Sequence, residues 1–401
     1  MSTLTLPAGA LTPACDTSPP AVLYGTRNTS YRWEVFTHNP ATGLDMLAGV
    51  LDGVEIGSLS WSYYTAVKGS GRLTVLDLDE AAPGMMRVAD INLITSRLRP
   101  VLMIDGLPDI PLGMYIITAA PTAWTATGRT YSLELHDKCS VLEQDAITST
   151  WSAVEGTPIL ALVVQLLAAA GEHIDVDASV TTGLAGPRSW RPGDDDSSNL
   201  LAIVNDLLDT LGYTSLRVTG AGLFDTSSNI PPARRPIIYD ALPGITRELI
   251  DGEAAIYSPN WSRDIDSYKI PNRIVAVASA DGDEPPQVVT VTNENPDSPY
   301  SYQARGRWVT ETVTGVDVPE GTIAEQAAAL EAKARQVLLA ASAPQAMLEV
   351  THLPLPLSVG DVVRFRSIPA GIDARHVVTG IDLECTPTGL MRTKLQEVID
   401  L

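Results

Sequence analysis

The closing segments of the chain are Ala346-Met-Leu-Glu-Val-Thr-His352, Leu357-Ser-Val-Gly-Asp-Val-Val-Arg-Phe365, His376-Val-Val-Thr-Gly-Ile-Asp-Leu-Glu-Cys385 and Met391-Arg-Thr-Lys-Leu-Gln-Glu-Val398. A turn at Thr386-Pro-Thr-Gly-Leu390 separates the last two. Short apolar and β-branched runs bounded by Gly, Pro and Ser are typical of strands. We predict four short strands joined by tight turns, which could close a small β-barrel. They offer no side chains arranged for chemistry.

The composition is that of a globular protein with a strongly acidic charge. The 401 residues are enough for two to four domains. Asp and Glu number 48 against 27 Lys and Arg, which gives a formal net charge of −21. This balance disfavours tight binding to nucleic acid or to an anionic membrane, because both require clustered cations. Two explanations of this charge are equally good: it keeps the protein soluble, or it forms a surface that repels a polyanion.

The cysteines and the N-terminus carry few signals. Cys15, Cys139 and Cys385 are odd in number and lack the CxxC spacing, so a disulfide framework or zinc site is not expected. We predict that Cys139 and Cys385 act as small buried hydrophobes. The N-terminus lacks a basic region followed by an apolar core, so no signal peptide is predicted and synthesis in the cytoplasm is expected.

The first half of the chain predicts two different units. Residues 1–30, rich in Pro, Thr and Ser, predict an extended arm. Six or more short strand-like runs over 31–145 predict a first antiparallel barrel or sandwich. Residues 146–228 predict an α+β unit with two helices. Thr157 is expected to cap the first helix, with Pro158 at its first helical position, and a leucine-rich face over 200–211 predicts the second. Gly171 and Gly212 are expected to end these helices.

The second half predicts a further β-rich region. Strand character returns over 229–280 and again over 344–401, and together these ranges predict a second barrel. Residues 281–343 predict an insertion with a helix that begins at the capping box Thr322-Ile-Ala-Glu325 and ends before Pro344. The predicted fold class is α+β and mainly β, with two antiparallel β-barrel domains and helix-containing inserted domains.

No motif of the chain predicts catalysis or a bound metal. The histidines are scattered without metal-ligand spacing: His38, His136, His173, His352 and His376. Asp194-Asp195-Asp196 could hold Ca²⁺, but the helix behind it favours a role at the helix N-terminus. Asp281-Gly-Asp-Glu284 lacks the twelve-residue calcium-loop pattern. We therefore expect no catalytic, cofactor-binding or metal-binding residues, no cofactor, and a protein that is not an enzyme.

The aromatic residues do not indicate a carbohydrate site either. The tryptophans are spread along the chain, about one in each predicted element, which is typical of core or interface anchors: Trp33, Trp61, Trp124, Trp151, Trp190, Trp261 and Trp308. A sugar-binding cleft would bring aromatic and carboxylate groups together. Their dispersion counts against such a cleft.

Four segments together resemble a known family, the minor tail or baseplate hub proteins of tailed phages, especially siphoviruses of actinobacteria. They are Trp190-Arg-Pro-Gly193 with Asn199–Leu208 and Leu211–Val218; Ile270-Pro-Asn-Arg-Ile-Val-Ala-Val277; Asn295-Pro-Asp-Ser-Pro-Tyr-Ser301 with Arg305-Gly-Arg307; and Val359-Gly-Asp-Val-Val363. The resemblance covers residues 50 to 401, and it rests more on the order of the motifs than on any single one. The closing segments also resemble the wider class of hubs with tube-like barrels.

The resemblance implies a structural virion protein. It implies a homotrimeric hub at the distal tail tip, in which two barrels per subunit continue the six-fold tube and the tip gates DNA exit. The implied partners are the distal tail protein, the tape-measure protein, and tail fibre or receptor-binding proteins, with DNA passing through the lumen without specific binding. The location would be the tail tip of the virion, without a membrane span. The chain ends three residues after its last predicted strand, so we expect a hub without an appended lytic domain.

An alternative of a different class stays open. A tail-associated cell-wall hydrolase or a carbohydrate-binding adhesin would also be β-rich. Aromatic and carboxylate side chains gathered in one cleft would favour it.

Overall fold

The computed structural model describes residue 23 and residues 27–125, 128–176, 183–186, 188–193, 198–239, 242–250, 257–265, 268, 270–278, 286–316, 322–342 and 346–398. Most of the predicted arm, Cys15, Asp194–Asp196 and Asp281–Glu284 lie outside the described residues. Among the described residues, no helix combines the length and the apolar character needed to cross a membrane.

The first β-rich region consists of short strands whose buried and exposed residues alternate. In β4, for example, Leu73 and Val75 are buried, whereas Ser70 and Arg72 are exposed. The strands are β1 Thr29–Asn39, β2 Leu44–Val50, β3 Val54–Ser62, β4 Gly69–Asp77, β5 Ser96–Ile104, β6 Ile110–Pro111, β7 Tyr115–Ala119, β8 Thr122–Thr125 and β9 Gly128–Asp137. The sequence did not predict β2, which adds to β1 at the edge of the sheet.

A helical unit follows the first strands. Its elements are α1 Cys139–Gln144, β10 Trp151–Ala153, α2 Ile159–Ala169, β11 Arg188–Trp190, α3 Leu200–Thr210, β12 Arg217–Val218 and β13 Phe224–Asp225. The predicted leucine-rich face of α3 is confirmed as buried, and α2 packs against it in the same core. Gly171 and Gly212 have φ values of 72° and 67°, as expected for residues that end helices.

The helix starts differ in detail from the prediction. Pro158 has an extended backbone and lies at the N-cap of α2, not at its first helical position. The N-cap of α3 is Asn199, whose side-chain oxygen accepts a hydrogen bond from the Ala202 N–H at 2.8 Å. Asn can cap because its short side chain reaches a free N–H group of the first turn. The capping box is confirmed, since the Glu325 N–H donates to the Thr322 hydroxyl at 3.3 Å and Glu325 accepts from the Thr322 N–H at 2.8 Å.

The remaining elements complete the chain. They are β14 Ile238–Tyr239, β15 Leu242–Thr246, β16 Glu248–Ile250, β17 Ser262–Ile265, β18 Arg273–Ala278, β19 Val288–Thr292, α4 Tyr302–Arg305, β20 Thr310–Val316, α5 Ile323–Ser342, β21 Ala346–His352, β22 Val362–Ser367, β23 Ile372–Glu384 and β24 Met391–Glu397. The four predicted closing strands are confirmed as β21 to β24. The helix α5 packs on the separate small sheet of β18, β19 and β20.

The two β-rich regions join in one sheet of 15 strands. Its main path runs β17-β21-β24-β23-β3-β4-β9-β7-β5-β1-β2, with β6, β8, β16 and β22 attached beside it. The joint is antiparallel pairing of β23 with β3, where Leu383 lies opposite Leu59. The mainly β, antiparallel character is confirmed, apart from the parallel pairs β16–β22 and β18–β20. The predicted arrangement of two closed barrels is not confirmed, because over the described residues this path does not close on itself. Side chains from both β-rich regions belong to one continuous core.

The described residues form three main hydrophobic cores and a small fourth cluster of Leu102, Ile104 and Ile110. The large one lies behind the 15-stranded sheet and draws side chains from both β-rich regions. The second lies within the helical unit, and the third lies between α5 and the small sheet. The domain limits drawn from the sequence stay a prediction.

Candidate functional site

Six neighbouring strands of the large sheet present a polar side opposite the core. Leu59, Leu73, Leu135 and Leu383 point into the core, so their neighbours in sequence face outward. We define the polar face as the outward residues Glu134, His136, Ser70, Arg72, Ser58, Ser60, Asp382, Glu384, Arg392, Lys394, Glu349 and Thr351. Strand pairing aligns them in rows, one of which runs His136, Ser70, Ser60, Asp382, Arg392 and Thr351. A shallow depression of about 800 Å³ lies over this face.

Most charges of the polar face are paired within it. The Arg72 Nη2 atom lies 3.2 Å from Glu134 Oε1, and Arg392 lies 3.2 Å from Glu349 and 3.7 Å from Asp382. The Ser60 hydroxyl donates to Asp382 at 2.6 Å. Exposed ion pairs of this kind contribute about 0–1 kcal/mol each, so they order the surface more than they stabilise the fold.

The polar face is therefore a surface of short polar side chains and mostly paired charges. It contains four carboxylates and three cations, and no large apolar side chain. Two of its three cations, Arg72 and Arg392, are already paired, and such a surface holds a polyanion weakly because tight binding requires uncompensated Lys and Arg at the phosphates. This face suits sliding contact with a charged polymer better than binding.

Towards β1, β2 and β5, the same side of the sheet is covered by the helical unit. Arg97 lies on the same side of the sheet as the polar face, because it pairs with Ile116 and Ile116 pairs with His136. The Arg99 Nη1 atom donates to the Ala221 carbonyl at 3.2 Å, and the Gly113 N–H donates to the Gly220 carbonyl at 2.9 Å. The helical unit thus covers one end of the sheet and leaves the polar face open.

A buried ionic network fastens this covered end. We define it as Asp45 on β2, Arg97 on β5, Lys138 before α1, Glu172 after α2, and His38 beside them. Arg97 lies 2.9 Å from Asp45 and also contacts Glu172 through its second guanidinium nitrogen. Lys138 lies 3.3 Å from Asp45 and 3.2 Å from Glu172. The His38 Nδ1 atom lies 2.9 Å from Asp45. Two carboxylates therefore face two permanent cations.

The side chains of the buried ionic network are shielded from water, so the stability of the fold depends on their pairing. The Glu172 side chain is 0 % exposed and that of Lys138 2 % exposed. Burial alone would raise the pKa of Asp45, but the charges of Lys138 and Arg97 outweigh it and hold that pKa below its ordinary value. An unpaired charge in such a place is expensive, so each member depends on the others. The sequence gives no local signal for the network, because its members are brought together only by folding.

The histidines that the sequence left without a role lie in different places. His38 belongs to the buried ionic network, His136 lies on the polar face, and His173 is exposed. His352 and His376 are buried in the large sheet, and burial lowers the pKa of each to about 4. Within the described ranges, no group of three or more His, Cys, Asp or Glu is placed to hold a metal ion.

The described cysteines and tryptophans serve mainly the cores. Cys139 and Cys385 are free and buried, as predicted, and burial raises the pKa of both thiols. Trp33 and Trp190 are buried anchors, whereas Trp124 and Trp308 are exposed. The tryptophans are therefore not a uniform set of core residues.

Comparison with known proteins finds similarity in structure and not in sequence. No protein-family model and no curated protein sequence matches the chain. Its structure is similar to the tail protein from Neisseria meningitidis MC58, with a TM-score of 0.56 and 12% identity over 92% of this chain and 97% of that one. It is also similar to the prophage MuSo2 43 kDa tail protein from Shewanella oneidensis, with a TM-score of 0.53 and 14% identity over 91% and 98%.

The chain shares the fold of these tail proteins. A third similar structure is a chain of the Francisella PdpA-VgrG complex, with a TM-score of 0.52 and 7% identity. That match covers 93% of this chain but only 58% of the other. At these identities the likeness establishes the architecture alone.

Proposed function

We propose that the protein is a structural component of a phage tail, and specifically the homotrimeric hub at the distal tip. The observation that carries this proposal is the fold, which matches the Neisseria meningitidis tail protein over 97% of that protein's length. The hub continues the tube, connects the distal tail and fibre proteins, receives the tape-measure protein and gates DNA exit. Its place is the tail tip of the virion, and its role is mechanical and not catalytic.

The polar face would line the lumen. DNA carries one negative charge for about 1.7 Å of helix axis, so a lumen with free cations would retain it. The polar face instead offers short serine side chains, four carboxylates and cations that are mostly paired. The net charge of −21 acts in the same direction.

The ends of the sheet would join the subunits. The main path of the sheet ends at β2 and at β17, and an edge strand offers unpaired N–H and C=O groups to another chain. On β2, Leu44, Met46 and Leu47 are 50%, 61% and 57% exposed. Head-to-tail contacts between unlike edges close into a ring when the rotation permits. Three copies, each with two barrel-like regions, would give the six-fold repeat of a tube.

The first test is the mass of the purified protein in solution. A trimer has three times the chain mass of 42.7 kDa, which light scattering after size-exclusion chromatography measures directly. We expect Met46→Lys to shift the equilibrium to monomer, because it places a charge on the apolar edge. Ile368→Lys is the matched control, since Ile368 is 68% exposed and lies outside β2. A monomer at micromolar concentration for the unmodified chain would contradict the trimer.

The second test is the charge of the lumen. The double variant Asp382→Lys and Glu384→Lys adds cations to the polar face, and we expect it to retain double-stranded DNA that the unmodified trimer releases. Fluorescence anisotropy of labelled DNA at low salt measures this. If the lysine variant binds DNA no better than the unmodified protein does, the polar face does not line the DNA path. A symmetry-resolved image of the particle, with a three-fold ring at the tail tip, tests the location.

A further inference from the structure

A second surface, away from the polar face, combines aromatic rings with arginines. It lies beside the start of β18 and over the segment that carries α4. We define the arginine–aromatic platform as Tyr268, Arg273, Tyr300, Tyr302, Arg305, Arg307 and Trp308. The segment includes Arg305-Gly-Arg307, which the sequence singled out but which the proposed hub does not use.

Each arginine of the platform lies on an aromatic ring. Tyr302 and Trp308 stack with ring centroids 4.4 Å apart and planes 22° apart, and the Arg273 guanidinium lies 5.0 Å from the Trp308 centroid. Arg305 lies 5.1 Å from the ring of Tyr300. Arg307 lies 4.8 Å from the ring of Tyr268. The ring faces are thus used to hold guanidinium groups in fixed planes.

Buried polar groups hold the platform rigid from below. Asn272 is 0% exposed, and its side chain donates to the Arg307 carbonyl at 2.9 Å and accepts from the Val309 N–H at 2.8 Å. Arg305 donates to the Ile270 carbonyl at 2.5 Å. A binding surface that is fixed beforehand loses less conformational entropy on binding.

Among the described acidic residues, none pairs with an arginine of the platform. Over the part of the chain that the structure describes, no carboxylate lies within 4.0 Å of the guanidinium groups of Arg273, Arg305 or Arg307. Glu397, which faces Tyr300, is paired with Arg263 at 3.0 Å. Glu294 accepts instead from the Thr292 hydroxyl at 3.1 Å. Among the described residues, three arginines therefore lie together without a carboxylate partner, in a chain whose net charge is −21.

We infer that the arginine–aromatic platform is a docking surface for a carboxylate-rich polypeptide segment of another protein. Guanidinium groups fixed in plane present paired N–H donors, which match carboxylates in a fork geometry. Trp, Tyr and Arg are also the residues that dominate binding energy in protein interfaces. The platform needs no particular oligomeric state, so this proposal can be tested independently of the trimeric hub.

Two other occupants fit less well. A nucleic acid or a sugar would stack on open ring faces, whereas Trp308 already carries Tyr302 and Arg273 on its ring. A second copy of this chain would bring another net charge of −21, and such copies repel one another. A short acidic segment makes the carboxylate contacts with less of that repulsion.

The test uses a fluorescein-labelled peptide of alternating Glu and Ser, blocked at both ends, and fluorescence anisotropy at low salt. We expect the full-length protein to bind it, and the double variant Arg273→Ala and Arg307→Ala to bind about 5- to 30-fold more weakly. Arg335→Ala is the control, because Arg335 is an exposed arginine outside the platform and is paired with Glu331 on α5. Its affinity should be unchanged.

A second variant guards against loss of folding. Arg273→Lys with Arg307→Lys keeps the charge but loses the planar fork, so its affinity should fall between those of the unmodified and alanine proteins, with an unchanged thermal midpoint. The proposal is overturned if the peptide does not bind or if Arg335→Ala weakens binding as much as the platform variant does. It is equally overturned if a single-stranded oligonucleotide of equal charge binds more tightly, or if the same arginines mediate self-association.

Discussion

Removing Glu172 should lower the free energy of unfolding more than removing one partner of an exposed ion pair does. Glu172→Ala deletes one of two carboxylates in the buried ionic network and leaves Arg97 and Lys138 facing Asp45 alone. Breaking a buried ion pair by removing one partner costs about 3–5 kcal/mol, because the remaining charge is buried without compensation. Since a native protein is stable by only about 5–15 kcal/mol, the loss is a large part of the total.

The matched control is Glu331→Ala on α5. Glu331 lies 2.8 Å from Arg335 at the i,i+4 spacing, but both side chains are about half exposed. Such pairs contribute about 0.3–0.5 kcal/mol. Equilibrium unfolding in urea, followed by tryptophan fluorescence, compares the midpoints of the two variants with that of the unmodified protein.

A double variant separates charge from packing. Arg97→Leu combined with Glu172→Leu removes one cation and one carboxylate together, and the remaining pair of Lys138 and Asp45 stays balanced. Replacing a buried pair by apolar side chains is often neutral, so most of the lost stability should return. If Glu172→Ala costs no more than Glu331→Ala, or if the double variant is less stable than Glu172→Ala, the buried ionic network does not stabilise the fold through its paired charges.

Other predictions concern the cores and a helix start. Burial lowers the pKa of His352 and His376 to about 4, so the unfolded chain binds more protons than the folded chain between about pH 6.5 and 4. As the pH is lowered through this range, the free energy of unfolding should fall by up to about 3 kcal/mol for each histidine. His376→Gln should flatten this slope in urea titrations at several pH values. Gly57→Ala places a Cβ atom 2.7 Å from the Trp33 ring, and the crowding should cost about 1–3 kcal/mol in the urea midpoint, whereas Gly186→Ala meets nothing within 4 Å and should be neutral. Asn199→Ala removes the cap of α3 and should lower the free energy of unfolding by about 1 kcal/mol, with Asn199→Asp restoring it.

Local patterns in the sequence were enough to place individual elements. The closing strands β21 to β24, the buried face of α3 and the capping box of α5 follow from side chains a few residues apart. Such signals work because a strand or helix forces near neighbours onto one face. The same patterns placed Cys139 and Cys385 in the interior.

The candidate sites were beyond the reach of such patterns. The buried ionic network joins residues from β2, β5 and the two ends of the helical unit, and none of them stands out in its own segment. The polar face looks like ordinary strand alternation until the pairing of β23 with β3 aligns its rows. The platform likewise depends on Asn272 bringing the Arg307 segment onto β18.

Residue patterns alone predict a mainly β chain with two β-rich regions and a helical unit between them, and the composition fixes its strongly acidic charge. The folded chain shows in addition that the two regions share one sheet through β3 and β23, which side of that sheet is open and where the helical unit covers it. These features are not local, because a period of two fixes only which residues share a face. The choice of partner strand and register depends on backbone hydrogen bonds and core contacts between residues far apart in the chain.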